Sequence, residues 1–171
     1  MKYTSAEAAK LLRKLNEEKT ALELKEEKSS IFVAAVGEDV ESVRPAYEYE
    51  SMQAALIELD RKIRVVKHAI NSFNIQQMVD GFDMTIDQML VYIPQLTARK
   101  RKLSMMKDRL PKQREDADGY GRASSNVIDY SYANYDISVV EKECSVVADE
   151  LSRAQTALDV VNNTKTMEIE L

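Results

Sequence analysis

The sequence predicts a mainly α protein: an antiparallel helical hairpin or four-helix bundle with coiled-coil seams and a small β ribbon. Three observations carry that prediction. Apolar residues recur every seven positions in two long segments, S/T-x-x-E/Q capping signals stand before three segments, and 171 residues contain only four Gly and three Pro. Turn-rich β-sandwiches and low-complexity chains need more Gly and Pro than this. The length suits a single domain, read as one elongated helical domain over 1–171.

The first helix is placed at about 4–28. Thr4 and Glu7 have capping-box spacing, in which a hydroxyl and a carboxylate each satisfy a free N–H at the helix start. Ala8, Leu11, Leu12, Leu15 and Leu22 then share one face, and Glu17, Glu18, Glu23, Glu26 and Glu27 fill much of the rest. The second helix, 50–73, has the cleanest pattern. Met52, Leu56, Leu59, Ile63, Val66, Ile70 and Phe73 are spaced 4, 3, 4, 3, 4, 3, the repeat of a left-handed coiled-coil seam.

The third helix, 85–108, opens at Thr85 with Gln88 in the capping position and Met84 and Met89 placed as a hydrophobic staple. Ile86, Met89, Ile93, Leu96 and Leu103 continue its stripe, with Lys100 on it. Pro94 has no N–H to give, so a kink or break is expected near 90–94, costing about 3 kcal/mol if the helix stays continuous. The fourth helix, 137–162, starts near Asp136 or Ser138, with Ser138 and Glu141 as a third capping box. Val140, Cys144, Val147, Leu151, Ala154, Leu158 and Val161 form the second heptad seam, and Asn162, Asn163 and Thr164 stop it. Two seams of equal length look built to pack on each other.

Two segments between the helices have strand character. Ser30–Val36 is apolar and β-branched, ends at Gly37, and is followed by Tyr47–Tyr49 after Pro45. Val127–Ile137 alternates Ile128, Tyr130 and Tyr132 against Asp129 and Ser131. The expectation is that these pair as an antiparallel ribbon leaning on the helices, since two strands alone are marginal in water. Residues 109–126 are the one long loop.

Catalytic chemistry finds little material. His68 is the only histidine, no G-x-S-x-G elbow occurs, and Cys144 lies on a seam where burial is expected. Four zinc ligands are absent. The run from Asp116 to Gly121 resembles the opening of a calcium loop, but positions five, six and twelve would be Tyr120, Gly121 and Val127, so the oxygen ligands fail. The expectation is a non-enzyme with no cofactor and no metal. One cysteine gives no internal disulfide, no apolar run spans a bilayer and no signal-peptide core is evident, which together point to the cytoplasm.

Charge is segregated. Residues 99–114 hold eight cations (Arg99, Lys100, Arg101, Lys102, Lys107, Arg109, Lys112 and Arg114) against Asp108, a balance of +7; with −5 overall, the rest of the chain carries −12. Arg99, Lys100, Arg101, Lys102, Lys107 and Arg109 are candidate anion-binding residues, for nucleic acid or a lipid surface. The competing explanation is a helix C-terminus that favours cations and faces the glutamates of the first helix. It gains weight because no aromatic residue interrupts the run to stack on bases. Tyr130, Tyr132 and Tyr135 are candidate interface residues, since tyrosine combines rigid contact area with a polar tip.

The order of elements resembles the septicolysin-like family of small bacterial proteins. Ala6-Glu7-Ala8-Ala9-Lys10-Leu11-Leu12-Arg13 is similar to that family's first helix, Ile70-Asn71-Ser72-Phe73-Asn74 to the end of its second, and Asp80-Gly81 with Thr85-Ile86-Asp87-Gln88 to the turn into its third. Tyr135-Asp136-Ile137, leading to Asn162-Asn163-Thr164, resembles its last helix. Departures are the extra residues between Gly81 and Thr85, Phe73 in place of a small polar residue, and Pro94. The resemblance implies an antiparallel helical bundle of coiled-coil character with an uncharacterised role. The family name comes from a pore-forming toxin, and the only segment here that could insert is 127–137. The leading functional expectation is a coiled-coil interaction protein that self-associates as a homo-oligomer, with another protein, nucleic acid or a membrane surface as weaker partners.

Overall fold

A computed structural model describes residues 1–114 and 129–171. The fold is mainly helical, with small two-stranded antiparallel sheets. The elements in order are β1 (Lys2–Thr4), α1 (Ser5–Ser29), α2 (Val40–Val43), α3 (Tyr49–Gln76), α4 (Ile86–Lys107), β2 (Lys112–Arg114), β3 (Tyr130–Tyr132), α5 (Ile137–Thr164) and β4 (Thr166–Glu168). They divide into two compact units. One comprises Met1–Asp87 with Asp159–Leu171, and the other comprises Gln88–Leu158.

In the first unit, Thr4 caps α1 as its spacing predicts. The Glu7 N–H donates to Thr4 Oγ1 (3.2 Å) and the Thr4 N–H to Glu7 Oε2 (2.8 Å). These bonds hold the Glu7 carboxyl below its usual range, the Thr4 backbone bond first and the Thr4 hydroxyl second. α1 and α3 run antiparallel: Lys19 pairs with Asp60 at 2.8 Å, and Glu26 accepts from both Tyr47 and Gln53. Their core holds Ala8 and Leu15 of α1, Leu59 and Val66 of α3, and Met167 and Ile169 from the β4 segment. Leu56 lies half-buried on the same seam, while Ile63, Ile70 and Phe73 pack on the cluster. A heptad stripe brings one residue per turn back to the same side, so α1 covers α3 along its length.

In the second unit, α4 and α5 are antiparallel neighbours. The Tyr92 hydroxyl donates to Glu150 at 3.4 Å, Arg99 pairs with Glu143, and Ser104 Oγ lies 3.6 Å from Cys144 Sγ. Met89, Leu96 and Leu103 of α4 and Val140, Cys144, Val147, Leu151, Ala154 and Leu158 of α5 are buried. Each seam therefore meets the long helix of its own unit, α3 on α1 and α5 on α4. The sequence does not say which stripes are partners, because every heptad stripe offers the same kind of surface.

Four expectations are corrected. Ser30–Val36 forms no strand: among the described residues no strand runs beside it, and Ala35 and Glu38 close a turn through Ala35 N–H to Glu38 Oε2 and Glu38 N–H to Ala35 O. Tyr49 opens α3 instead of extending a ribbon. β3 pairs with β2, which lies inside the expected loop, in the register Lys112↔Tyr132, Gln113↔Ser131, Arg114↔Tyr130. α5 is capped by Asp136, whose Oδ1 accepts from the Ser138 N–H (2.8 Å) and hydroxyl (2.7 Å); an Asp one residue before the helix is already a strong acceptor, so the Ser138–Glu141 box is not used. At Pro94 α4 has no break, so of the two expectations there the local break does not occur and the helix stays continuous. The calcium reading at Asp116–Val127, Tyr120 and Ile128 fall outside the described residues.

A second sheet pairs β1 with β4. It joins residues at opposite ends of the sequence in the register Lys2↔Glu168, Tyr3↔Met167, Thr4↔Thr166.

Candidate functional site

The basic run begins on the exposed side of α4 and continues into β2. Arg99 is neutralised by Glu143 of α5. Among the described residues, Lys100, Arg101, Lys102, Lys107 and Arg109 form no ion pair with a carboxylate, and all five are exposed. Arg101, Lys102 and Arg109 line a cavity of about 280 Å³ together with Met105, Met106 and Tyr135. Arg101 and Lys102 project from the last turns of α4, Arg109 follows just past its end, and Tyr135 completes the lining. Its hydroxyl donates to the Met106 carbonyl at 2.8 Å, which also accepts from the Arg109 N–H at 3.3 Å, so Tyr135 ties the α5 side to the end of α4.

The chain then leaves α4 and reverses at Pro111, whose carbonyl accepts from the Ala133 N–H at 3.1 Å. This bond fixes the ribbon to the helix end. Lys112 Nζ sits 4.1 Å from the Tyr130 ring centroid and 5.5 Å from that of Tyr132. Residues i and i+2 of a strand share a face, so the two tyrosines stand side by side, 44% and 64% exposed, with Arg114 directly across from Tyr130. Sequence reading found no aromatic residue inside the basic run. The ribbon supplies two from a segment that follows it by sixteen positions or more. The run alternates Lys112 and Arg114 around Gln113 after Pro111, which was the available signal for a strand here.

Among the described residues, Arg99 is the one candidate anion-binding cation in an ion pair, and Lys100 and Lys107 lie outside the cavity lining. The seam residues Met52, Leu59, Val66, Val140, Val147, Leu151, Leu158 and Val161 are buried within the chain itself. Burial lifts the Tyr92 hydroxyl above its usual range, and the nearby Glu150 charge adds to the effect. His68 lies on α3 and lines a groove in the first unit together with Ser72 and Gln76, with no nucleophile pattern around it. Among the described residues, no group of three His, Cys, Asp or Glu is placed to hold a metal ion. No helix among them is long and apolar enough to cross a membrane.

No family model matches the chain, and no curated protein does. The chain is similar in structure to a functionally unknown conserved protein from Corynebacterium diphtheriae, known from its crystal structure. The TM-score is 0.61 at 17% identity, covering 98% of this chain and 100% of that one. At that identity the likeness concerns the fold alone.

Proposed function

We propose that the protein is a non-enzymatic binding protein that holds single-stranded nucleic acid on the basic, tyrosine-bearing face of its second unit. The observation that carries this reading is the ribbon that sets Tyr130 and Tyr132 beside Lys112 and Arg114, together with the cavity that Arg101, Lys102 and Arg109 line with Tyr135 in the same unit. A cationic track binds phosphates of any sequence, and neighbouring aromatic rings take unstacked bases, each worth roughly 1–3 kcal/mol on alanine substitution. A lipid headgroup layer would use the cations but has no bases for the rings. The test is fluorescence anisotropy of labelled oligothymidylate, with phosphatidylserine vesicles as competitor. The reading expects Tyr130→Ala with Tyr132→Ala to weaken oligonucleotide binding by at least tenfold while leaving vesicle binding unchanged. Equal loss on both, or no oligonucleotide binding at low salt, would remove it.

A second reading, self-association, is favoured by Val139 and Val146. They lie seven residues apart on α5 and are 56% and 66% exposed, which leaves two apolar side chains on one side of α5 outside the buried seam. Sedimentation of the wild type against Val139→Lys with Val146→Lys tests it. A monomer in both samples counts against this pair as an interface.

A further inference from the structure

Among the described residues, β4 is paired on one side only. The sheet order is β1–β4, and the residue 1 and Ile169 backbones exchange two bonds, Met1 N to Ile169 O at 3.0 Å and Ile169 N to Met1 O at 2.9 Å. In an antiparallel ladder such exchanging pairs alternate with pairs that exchange none. The next exchanging pair is therefore Tyr3↔Met167, and Glu168 between them directs its own N–H and C=O to the opposite edge. That edge faces α3 across a groove of about 610 Å³.

The groove has the layout of a strand-binding trench. Val65, Ala69 and Phe73 of α3 supply an apolar floor that joins Met167 and Ile169, both of which face the core. His68, Ser72 and Gln76 line the helix wall. The helix wall from Val65 to Gln76 covers about 16 Å at 1.5 Å per residue. That length accommodates about five extended residues at 3.3 Å each. The strand wall carries Glu168 and Glu170, and among the described residues neither is in an ion pair. On its occupied edge, β4 already takes a cation across from this carboxylate, since Lys2 stands opposite Glu168.

We propose that the α3–β4 groove takes an extended segment of a partner protein as a third strand of the β1–β4 sheet, with Lys or Arg across from Glu168 and apolar side chains on the alternate positions. The alternation follows from the strand itself. Residues on the Glu168 side of the sheet meet carboxylates, and those on the Met167 and Ile169 side meet the floor of Val65, Ala69 and Phe73. Main-chain bonds to the Glu168 backbone give affinity, and the two faces give selectivity. This site lies in the first unit and is independent of the nucleic-acid reading.

The experiment uses the full chain and a fluorescein-labelled peptide of alternating lysine and valine, capped at both ends. Binding is read by anisotropy, and the backbone amide of Glu168 is followed by NMR hydrogen exchange. The expected result is saturable binding that slows exchange at Glu168 at least tenfold. Alternate N-methylation of the peptide should abolish binding, and Glu168→Gln or Glu170→Lys should each weaken it by about tenfold. Both side chains are exposed, so the variants should fold as the wild type does, which circular dichroism checks. Full-strength binding of the N-methylated peptide, or saturation without protection of the Glu168 amide, overturns the proposal. A dimer whose Glu168 amide is protected before any peptide is added overturns it in favour of a second copy of this chain.

Discussion

The salt dependence of oligonucleotide binding follows from the number of cations on the candidate face. Arg101, Lys102 and Arg109 around the cavity and Lys112 and Arg114 on β2 make five. Each phosphate neutralised on a single strand contributes about 0.7 to the slope of log K against log salt, so five give a slope near −3.5. Over a fourfold rise in salt, from about 50 to 200 mM, affinity should then fall roughly a hundredfold. Substituting Gln at Arg101, Lys102 and Arg109 leaves two contacts, a slope near −1.4 and a loss of only about sevenfold over the same range. Arg99→Gln is the internal control, because Glu143 already neutralises that guanidinium; its slope should stay within about half a unit of wild type. Anisotropy titrations with oligothymidylate at several salt concentrations measure all three slopes. Parallel lines for wild type and the triple variant would refute the assignment, because the cavity cations would then not be meeting phosphates. A flattened line for Arg99→Gln alone would move the contact to the other end of the run.

Three further outcomes follow from the fold. Leu15→Ala opens a hole in the α1–α3 core beside Leu59 and Val66 and should cost about 2–5 kcal/mol; calorimetry should show the melting temperature falling by roughly 5–15 °C, whereas an unchanged temperature would mean the two helices do not share a core. Pro94→Ala restores an N–H to the Leu90 carbonyl within the continuous α4, and chemical denaturation should show stabilisation of up to about 3 kcal/mol. The Ser138 hydroxyl and then the Ser138 N–H hold Asp136 below its ordinary value of 3.8; the cap's contribution is complete above that value and disappears as pH falls through the lower folded value, so Asp136→Asn should flatten the acid limb of a pH-stability curve.

The helices were legible because their signals are local. Thr4 and Glu7 lie three residues apart, and the seam from Met52 to Phe73 repeats within one element, so a window of a few turns holds the whole pattern. The strands were not. Lys2–Thr4 and Thr166–Glu168 are three residues each, too short to display a two-residue period, and each acquires its conformation from the other. Ser30–Val36 shows the converse. It has the apolar, β-branched composition of a strand, but strand formation needs a neighbour, and among the described residues none lies beside it. The cationic residues of the candidate site were visible as a run, yet its aromatic half was not, because Tyr130 and Tyr132 join it only through the β2–β3 pairing. The partners of the two seams were likewise hidden, since an apolar stripe advertises burial and not a mate.

The β1–β4 pairing orders events on the way to the native state. The second unit is an insertion within the first, whose chain resumes only at Asp159. The bond between residue 1 and Ile169 joins positions 168 apart, so during synthesis the α1–α3 hairpin must wait for nearly the whole chain before Met167 and Ile169 complete its core. Closure entropy grows only with the logarithm of loop length, about 0.6 kcal/mol per doubling, and prior folding of the α4–α5 hairpin shortens the effective loop further. Local helical hairpins should therefore form first and the terminal sheet last. Until then the α1–α3 pair keeps uncovered the apolar flank that Met167 and Ile169 close.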